Sequence, residues 1–212
     1  MEENKSFFDF DETLIRINSF PYWILFVISY SALSFDFKLT AKFSKLLFER
    51  KIRKNISHYN FKKELLKFSV SDNCNQKFAG FLSFFTRKEL INELRRLHVE
   101  KHKIVISSAA PENYLRKTIE LILPEISDEI LIIGSKPHNN EWVDNYKEYK
   151  LQNLYKSQFL HENEILKNVY TDSWDDSALA YKSENIILIS PSKKSKEKYF
   201  SDVKLKDRIR FF

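Results

Sequence analysis

The sequence predicts an α/β protein built on a parallel sheet and interrupted after its first strand by a long helical insertion. Two observations carry this. Five short runs rich in Ile, Val, Leu and Phe alternate with amphipathic stretches, as parallel strands joined by crossover helices do. Roughly ninety residues separate the first run from the second, far more than one crossover helix requires.

The predicted strands are residues 6–10, 103–107, 130–133, 168–171 and 185–189. Between them, residues 88–97 place Leu90, Ile91, Leu94 and Leu97 on one helical face. The helix at 111–123 is expected to open with Pro111 in its first turn and Glu112 near the positive end of its dipole. Further helices are expected at 147–159 and 175–181, and a small hairpin at 134–144 with His138-Asn139-Asn140 as its turn. The insertion reads as helices at 17–35, 38–54, 59–69 and 75–85, with Phe78, Phe81, Phe84 and Phe85 in its core. Residues 1–15 and 86–212 then form the body, and residues 16–85 a helical subdomain.

Composition narrows the classes. A chain of 212 residues with 43% hydrophobic and 30% charged residues is globular, one domain with an insertion. Two glycines exclude a glycine-rich phosphate loop. The single Cys74 excludes an internal disulfide and a cysteine-based zinc site, and suits a reducing, cytoplasmic setting. The net charge of +6 is uneven: residues 42–67 carry nine Lys/Arg against Glu49 and Glu64, and residues 193–212 eight against Glu197, Asp202 and Asp207. Such patches attract anionic partners or simply face water. Residues 17–35 carry no formal charge but include Asn18 and several serines, so they read as a buried or interfacial helix rather than a span or signal peptide. His98 and His102, four apart, straddle a helix end and read as surface residues rather than a metal pair.

Ligands of open α/β sheets bind at the carboxyl ends of the strands. There the first strand ends in Phe8-Asp9-Phe10-Asp11-Glu12-Thr13, the second in Ser107-Ser108-Ala109-Ala110-Pro111, and the fourth in Thr171-Asp172-Ser173-Trp174-Asp175-Asp176. Clustered carboxylates at one edge need a cation or a proton, and an all-oxygen set suits Mg²⁺.

These residues resemble the motifs of the haloacid dehalogenase (HAD) superfamily of phosphohydrolases, and in particular its phosphoserine-phosphatase-like members. Asp9-Phe10-Asp11-Glu12-Thr13 is similar to the first motif, Asp-x-Asp-x-Thr; Ser108 to the second; Asp172-Ser173 with Asp176 to the fourth. For the lysine of the third, Lys147-Glu148-Tyr149-Lys150 resembles Gly-x-x-Lys, with Lys147 in the glycine's place and Lys150 as the motif lysine; Lys147 and Lys136 are rivals. Ser107 rivals Ser108, and Asp175 rivals Asp176. The resemblance implies a Rossmann-like core with an inserted helical cap of the first type. It also implies a Mg²⁺-dependent phosphomonoester phosphatase for a small phosphorylated metabolite. Asp9 would be the nucleophile forming an aspartyl phosphate, Asp11 the general acid and base, and Ser108 and Lys150 donors to the phosphoryl oxygens. Thr13 and Ala109 would help bind substrate, and Asp9, Asp11 through its backbone carbonyl, Asp172 and Asp176 would serve the metal. An alternative is a catalytically weak HAD-like module that binds membrane or nucleic acid through its basic patches. Nucleic acid is disfavoured, and a weak peripheral membrane contact through the cap is one reading of residues 17–67. A phospho-receiver domain fits poorly, since it lacks so long an insertion and carries its phospho-accepting Asp on a later strand. Oligomeric state is not legible.

Overall fold

The computed structural model describes residues 3–138 and 141–212. One sheet contains β1 (Lys5–Phe8), β2 (Lys103–Pro111), β3 (Leu131–His138), β4 (Glu141–Val143), β5 (Leu166–Thr171), β6 (Ser183–Leu188) and β7 (Ile209–Phe211). Its order is β4-β3-β2-β1-β5-β6-β7. Neighbours run parallel except β4, which is antiparallel to β3. The architecture is the α/β, Rossmann-like one that the alternation of strands and helices predicts. The hairpin of β3 and β4 forms, while its expected turn residues Asn139 and Asn140 lie outside the described residues.

Successive side chains of β1 enter different cores, as a period of two requires. Phe7 packs with Val105 and Val169 beneath α7 (Glu148–Lys156) and α8 (Ser177–Tyr181). Phe8 joins Ile104, Ile106 and Tyr170 beneath α5 (Lys88–Val99) and α6 (Glu112–Ile122). Its ring stacks on Tyr170 at 4.1 Å between centroids. Cover on both faces explains why these strands are continuously apolar. Leu90, Ile91, Leu94 and Leu97 are buried along α5, as their spacing predicts.

The sequence placed some boundaries wrongly. β1 ends at Phe8, and Phe10 begins a turn instead of completing the strand. Pro111 is not in a helical first turn: it is extended (φ −54°, ψ 126°), registers with Ser135 of β3, and α6 begins one residue later. Phe84, the residue that follows the last turn of its helix, is 86% exposed rather than in a core, while Phe78 is buried and Phe81 and Phe85 pack against the core. Helix α9 (Lys193–Ser201) and β7 were not anticipated.

Between β1 and α5 lie α1 (Ser19–Leu33), α2 (Phe37–Phe48), α3 (His58–Leu66) and α4 (Asp72–Ser83). The side chains of Asp36, Ser57 and Ser71 cap α2, α3 and α4 by accepting from Leu39, Asn60 and Cys74 N–H groups. The chain leaves and returns side by side: Arg16 N–H donates to Phe85 O and Arg87 N–H to Leu14 O, both at 2.9 Å. Trp23, Phe43 and Phe78 belong to the same buried cluster as Tyr114 of α6 and Phe8 of β1. Among the described residues no helix is long and apolar enough to cross a membrane.

Candidate active site

The strand order reverses about β1, and ligands of open α/β sheets bind at such a point. Asp9 follows β1 in extended conformation (φ −73°, ψ 160°), and its N–H donates to Tyr170 O at 3.0 Å. The chain then turns sharply through Phe10–Leu14, with Glu12 in left-handed conformation (φ 59°, ψ −8°). This turn swings Asp11 away from Asp9. The Asp11 carboxylate accepts the Ser19 N–H at 2.9 Å, at the start of α1.

Lys150, on the first turn of α7, brings the separate strand ends together. Its ammonium donates to Asp9 Oδ1 at 2.6 Å and pairs with Asp176 Oδ1 at 2.7 Å. All three side chains are buried. Burial works against the lysine's charge, but Asp176 and Asp9 hold its pKa above the usual range. Asp176 also accepts from Thr171 Oγ1 at 2.7 Å, and its Oδ1 receives no well-directed hydrogen bond despite the ion pair. Thr13 Oγ1 lies 3.4 Å from Asp9 Oδ2 and 3.2 Å from Asp172 Oδ1, with a single proton between the two carboxylates.

Four carboxyl groups around one buried lysine are costly to ionise together. Burial, and then the charge of Asp9, raise Asp172 to about 8. Burial raises Asp176 to about 6 against the pull of Lys150. Burial also raises Asp11 to about 7 despite its hydrogen bonds from Ser19.

The rival residues have different surroundings. Lys147 Nζ is 3.9 Å from Asp175, and Lys136 donates to Glu112 at 2.8 Å. Lys147 itself has φ 52° and ψ −127°, a backbone that favours glycine. Asp175 accepts from the Tyr146 hydroxyl at 2.7 Å. Ser107 Oγ accepts from Asn145 Nδ2 at 2.8 Å, whereas Ser108 Oγ accepts the Ala110 N–H at 3.1 Å. His98 and His102 do not meet: one pairs with Glu129 and the other with Ser6.

A cavity of about 630 Å³ opens over this edge, lined by Asp11, Ala109, Asp175 and Tyr146 from the body and by Phe20, His58 and Lys62 from the inserted helices. Two contributors had no signal in the sequence. Asn145, fully buried, donates to Ser108 O and Ile133 O at 2.9 Å, fixing the end of β2 against β3. Lys62 of α3 donates to Ser135 Oγ at 2.7 Å and pairs with Asp144 at 3.3 Å, tying the insertion to the sheet.

Among the described residues, no three His, Cys, Asp or Glu side chains converge as a ready metal centre. The reason is visible in the contacts: Asp176 is turned to Lys150 and Thr171, and Asp11 to Ser19. The carboxylate pair Asp9–Asp172 is left facing Thr13. Asp9 Oδ2 and Asp172 Oδ1, sharing the one neutral hydroxyl of Thr13, are an oxygen pair of the kind that a hard cation such as Mg²⁺ takes.

No protein-family model matches the chain, and no curated protein matches it. Solved structures do. A protein with unknown function from Bordetella pertussis Tohama I is similar with a TM-score of 0.72 at 14% identity, over 93% of this chain and 95% of that one. A phosphoserine phosphohydrolase-like protein from Francisella tularensis subsp. tularensis SCHU S4 is similar with a TM-score of 0.53 at 18% identity, over 87% and 86%. A HAD family hydrolase from Salmonella enterica subsp. enterica serovar Typhi is similar with a TM-score of 0.57 at 11% identity, over 92% of this chain and 65% of that one. At these identities the likeness is one of fold, and the chain has the haloacid dehalogenase-type fold.

Proposed function

We propose that the chain is a Mg²⁺-dependent phosphomonoester phosphatase acting on a small phosphorylated metabolite. Residues 1–15 and 86–212 would be its catalytic core and residues 16–85 its cap. The observation that carries this reading is the buried Lys150, which joins Asp9 to Asp176 below a cavity that Asp11 lines. A carboxylate fixed by an ammonium at a strand end is oriented for attack on phosphorus.

In this reading Asp9 attacks phosphorus and forms an aspartyl phosphate. Asp11, with a pKa raised to about 7, is suited to protonate the leaving oxygen and then to accept a proton from the attacking water. Ser108 and the Lys150 ammonium would donate to the phosphoryl oxygens, Ala109 lines the cavity, and Thr13, buried against Asp9 and Asp172, would help bind substrate from behind them. Asp9, Asp172 and the Asp11 carbonyl would hold Mg²⁺, with Asp176 supporting through Lys150. When bound, the ion offsets charge on the phosphoryl oxygens. A cytoplasmic setting belongs to the same proposal, supported by the lone, buried Cys74.

The test is a panel of phosphomonoesters assayed with purified protein and Mg²⁺. Phosphate release that depends on Mg²⁺ and is lost in Asp9→Asn supports the reading. Absence of release across the panel, or equal release by Asp9→Asn, overturns it.

A further inference from the structure

The inserted helices carry an apolar surface that the molecule does not cover. α1 carries no charged residue and shows large apolar side chains on its exposed as well as its buried side: Phe20, Trp23, Ile24 and Val27 are buried, while Leu25 is 55% and Leu33 82% exposed. A charge-free helix this rich in apolar side chains is normally enclosed. Beside it Phe48 and Ile52 are also exposed.

Here a second cavity of about 560 Å³ opens, lined by Ile24, Leu25, Leu47, Phe48 and Ile52 together with Arg50 and Lys51. Its volume is that of a ligand site. It meets the cavity over the acids only along Phe20, Pro21 and His58.

Charge completes the picture. Residues 36–54 hold seven Lys/Arg against Asp36 and Glu49. Among the described residues Lys38, Lys45, Lys51 and Lys54 form no ion pair within the chain, so their charge faces outward uncompensated. A water-soluble anion would use the cations but not the exposed Leu, Phe and Ile side chains. Nucleic acid would likewise be read by charge and stacking rather than by an aliphatic cavity. An anionic bilayer uses both features: apolar side chains enter the acyl boundary while Lys and Arg meet the headgroups.

We propose that this face docks on an anionic lipid surface and that its cavity takes an acyl chain of an anionic lipid. The charge-free α1 and the basic segment after α2 then act as one device. Its binding does not require that the chain be a phosphatase.

Sedimentation of the full chain with vesicles tests it, using equal phosphatidylglycerol and phosphatidylcholine against phosphatidylcholine alone across a salt series. Expected is binding to the anionic vesicles only, falling about tenfold or more between low and high salt. Leu25→Glu and Ile52→Glu, both at exposed positions, should each weaken binding about tenfold. Ser44→Trp, at an exposed position lining the cavity, should fill it and weaken binding several-fold. Thermal melts establish that each variant is folded, and hydrolysis of a soluble phosphomonoester should be unchanged in all three. Failure to bind anionic vesicles at low salt overturns the proposal, as does unaltered binding by Leu25→Glu and Ile52→Glu. Unaltered binding by a folded Ser44→Trp overturns the acyl-chain site. Hydrolysis without vesicle binding leaves the phosphatase standing and removes the lipid surface; vesicle binding without hydrolysis does the reverse.

Discussion

The Lys150 ammonium donates to Asp9 Oδ1 at 2.6 Å across 141 residues of chain, and no other lysine of the third-motif segment reaches a carboxylate of the buried cluster as closely. Lys150→Ala should therefore lower turnover by about 10²–10³, as for a lost electrostatic donor, while Lys147→Ala stays within a few-fold of the parent. Ser108→Ala and Ser107→Ala should divide in the same way. Steady-state rates on one soluble phosphomonoester give the ranking, and its reversal would move the site's register by one motif position.

The proposed mechanism gives the acids near Lys150 separable tasks. Asp9→Asn should abolish turnover and prevent attachment of a fluoroberyllate phosphoryl mimic. Asp11→Asn should still take the mimic but lose most turnover, because only the proton transfer is removed. Mass spectrometry or fluorine NMR reads attachment, and rate assays read turnover. Parental rates in either variant would contradict the roles assigned.

In the proposed mechanism, Asp172 would make metal binding a proton-coupled event. Its pKa is raised to about 8 in the metal-free protein, first by burial, so at neutral pH it is largely protonated. Mg²⁺ should displace that proton, and affinity should rise as pH increases toward 8. The sign for stability is opposite. A raised carboxyl pKa stabilises the metal-free fold at low pH, and that contribution is lost as pH rises from about 4 through about 8. Titration calorimetry in buffers of different ionisation enthalpy should record proton release. Phosphatase activity should vanish with chelator and return with Mg²⁺.

Lys147 holds a glycine's backbone without being glycine. With φ 52° and ψ −127° it carries local strain of about 1–3 kcal/mol. Lys147→Gly should raise unfolding free energy by about 1 kcal/mol after the flexibility gained by the unfolded chain is subtracted. Lys147→Val should lower it. Urea denaturation measures both.

The two glycines should respond oppositely to alanine. A Cβ at Gly134 would lie 2.5 Å from the Glu112 Cα, a backbone atom that cannot rotate away. Gly134→Ala should cost about 1–3 kcal/mol by forcing β3 from the start of α6. Gly80, inside α4, has open space at the same position, and Gly80→Ala should stabilise by up to about 1 kcal/mol. Thermal melts of the pair distinguish steric need from an untaken helix propensity.

The strands were legible because cover on both faces makes them continuously apolar, and the acids because parallel strands bring their carboxyl ends to one edge. Lys147 was legible as an anomaly: a lysine standing where the resembling motif has glycine, on a backbone that still has glycine's angles. Helix α9 was obscured because its Lys-rich sequence buries only Ser195 and Tyr199, too few for a periodic signal. Asn145 and Lys62 were invisible for a different reason. Each is buried only because distant segments supply Ser107, Ser135 or Asp144 as partners, and nothing local marks Lys62 from the solvated lysine beside it. Pro111 was misread because β2 pairs with β3 again at Pro111–Ser135, after a register shift beyond Ser107 that nothing in the local composition marks.

Tyr114 of α6 accepts or donates a hydrogen bond with Ser19 at 2.7 Å and stands edge-on to Phe78 at 5.0 Å, deep among the inserted helices. The insertion and the face of the sheet beneath α5 and α6 are therefore not two bodies joined by a hinge but share one apolar core. Excising residues 16–85 would leave the flank of α6 bare to water and open the core on that face of the sheet, while the core on the other face would keep all its residues. Heat should melt the whole chain in a single calorimetric transition, with the van't Hoff and calorimetric enthalpies in agreement. A lesion at Trp23 or Phe43 should then be felt at Asp9 as loss of the folded population rather than as a change in chemistry.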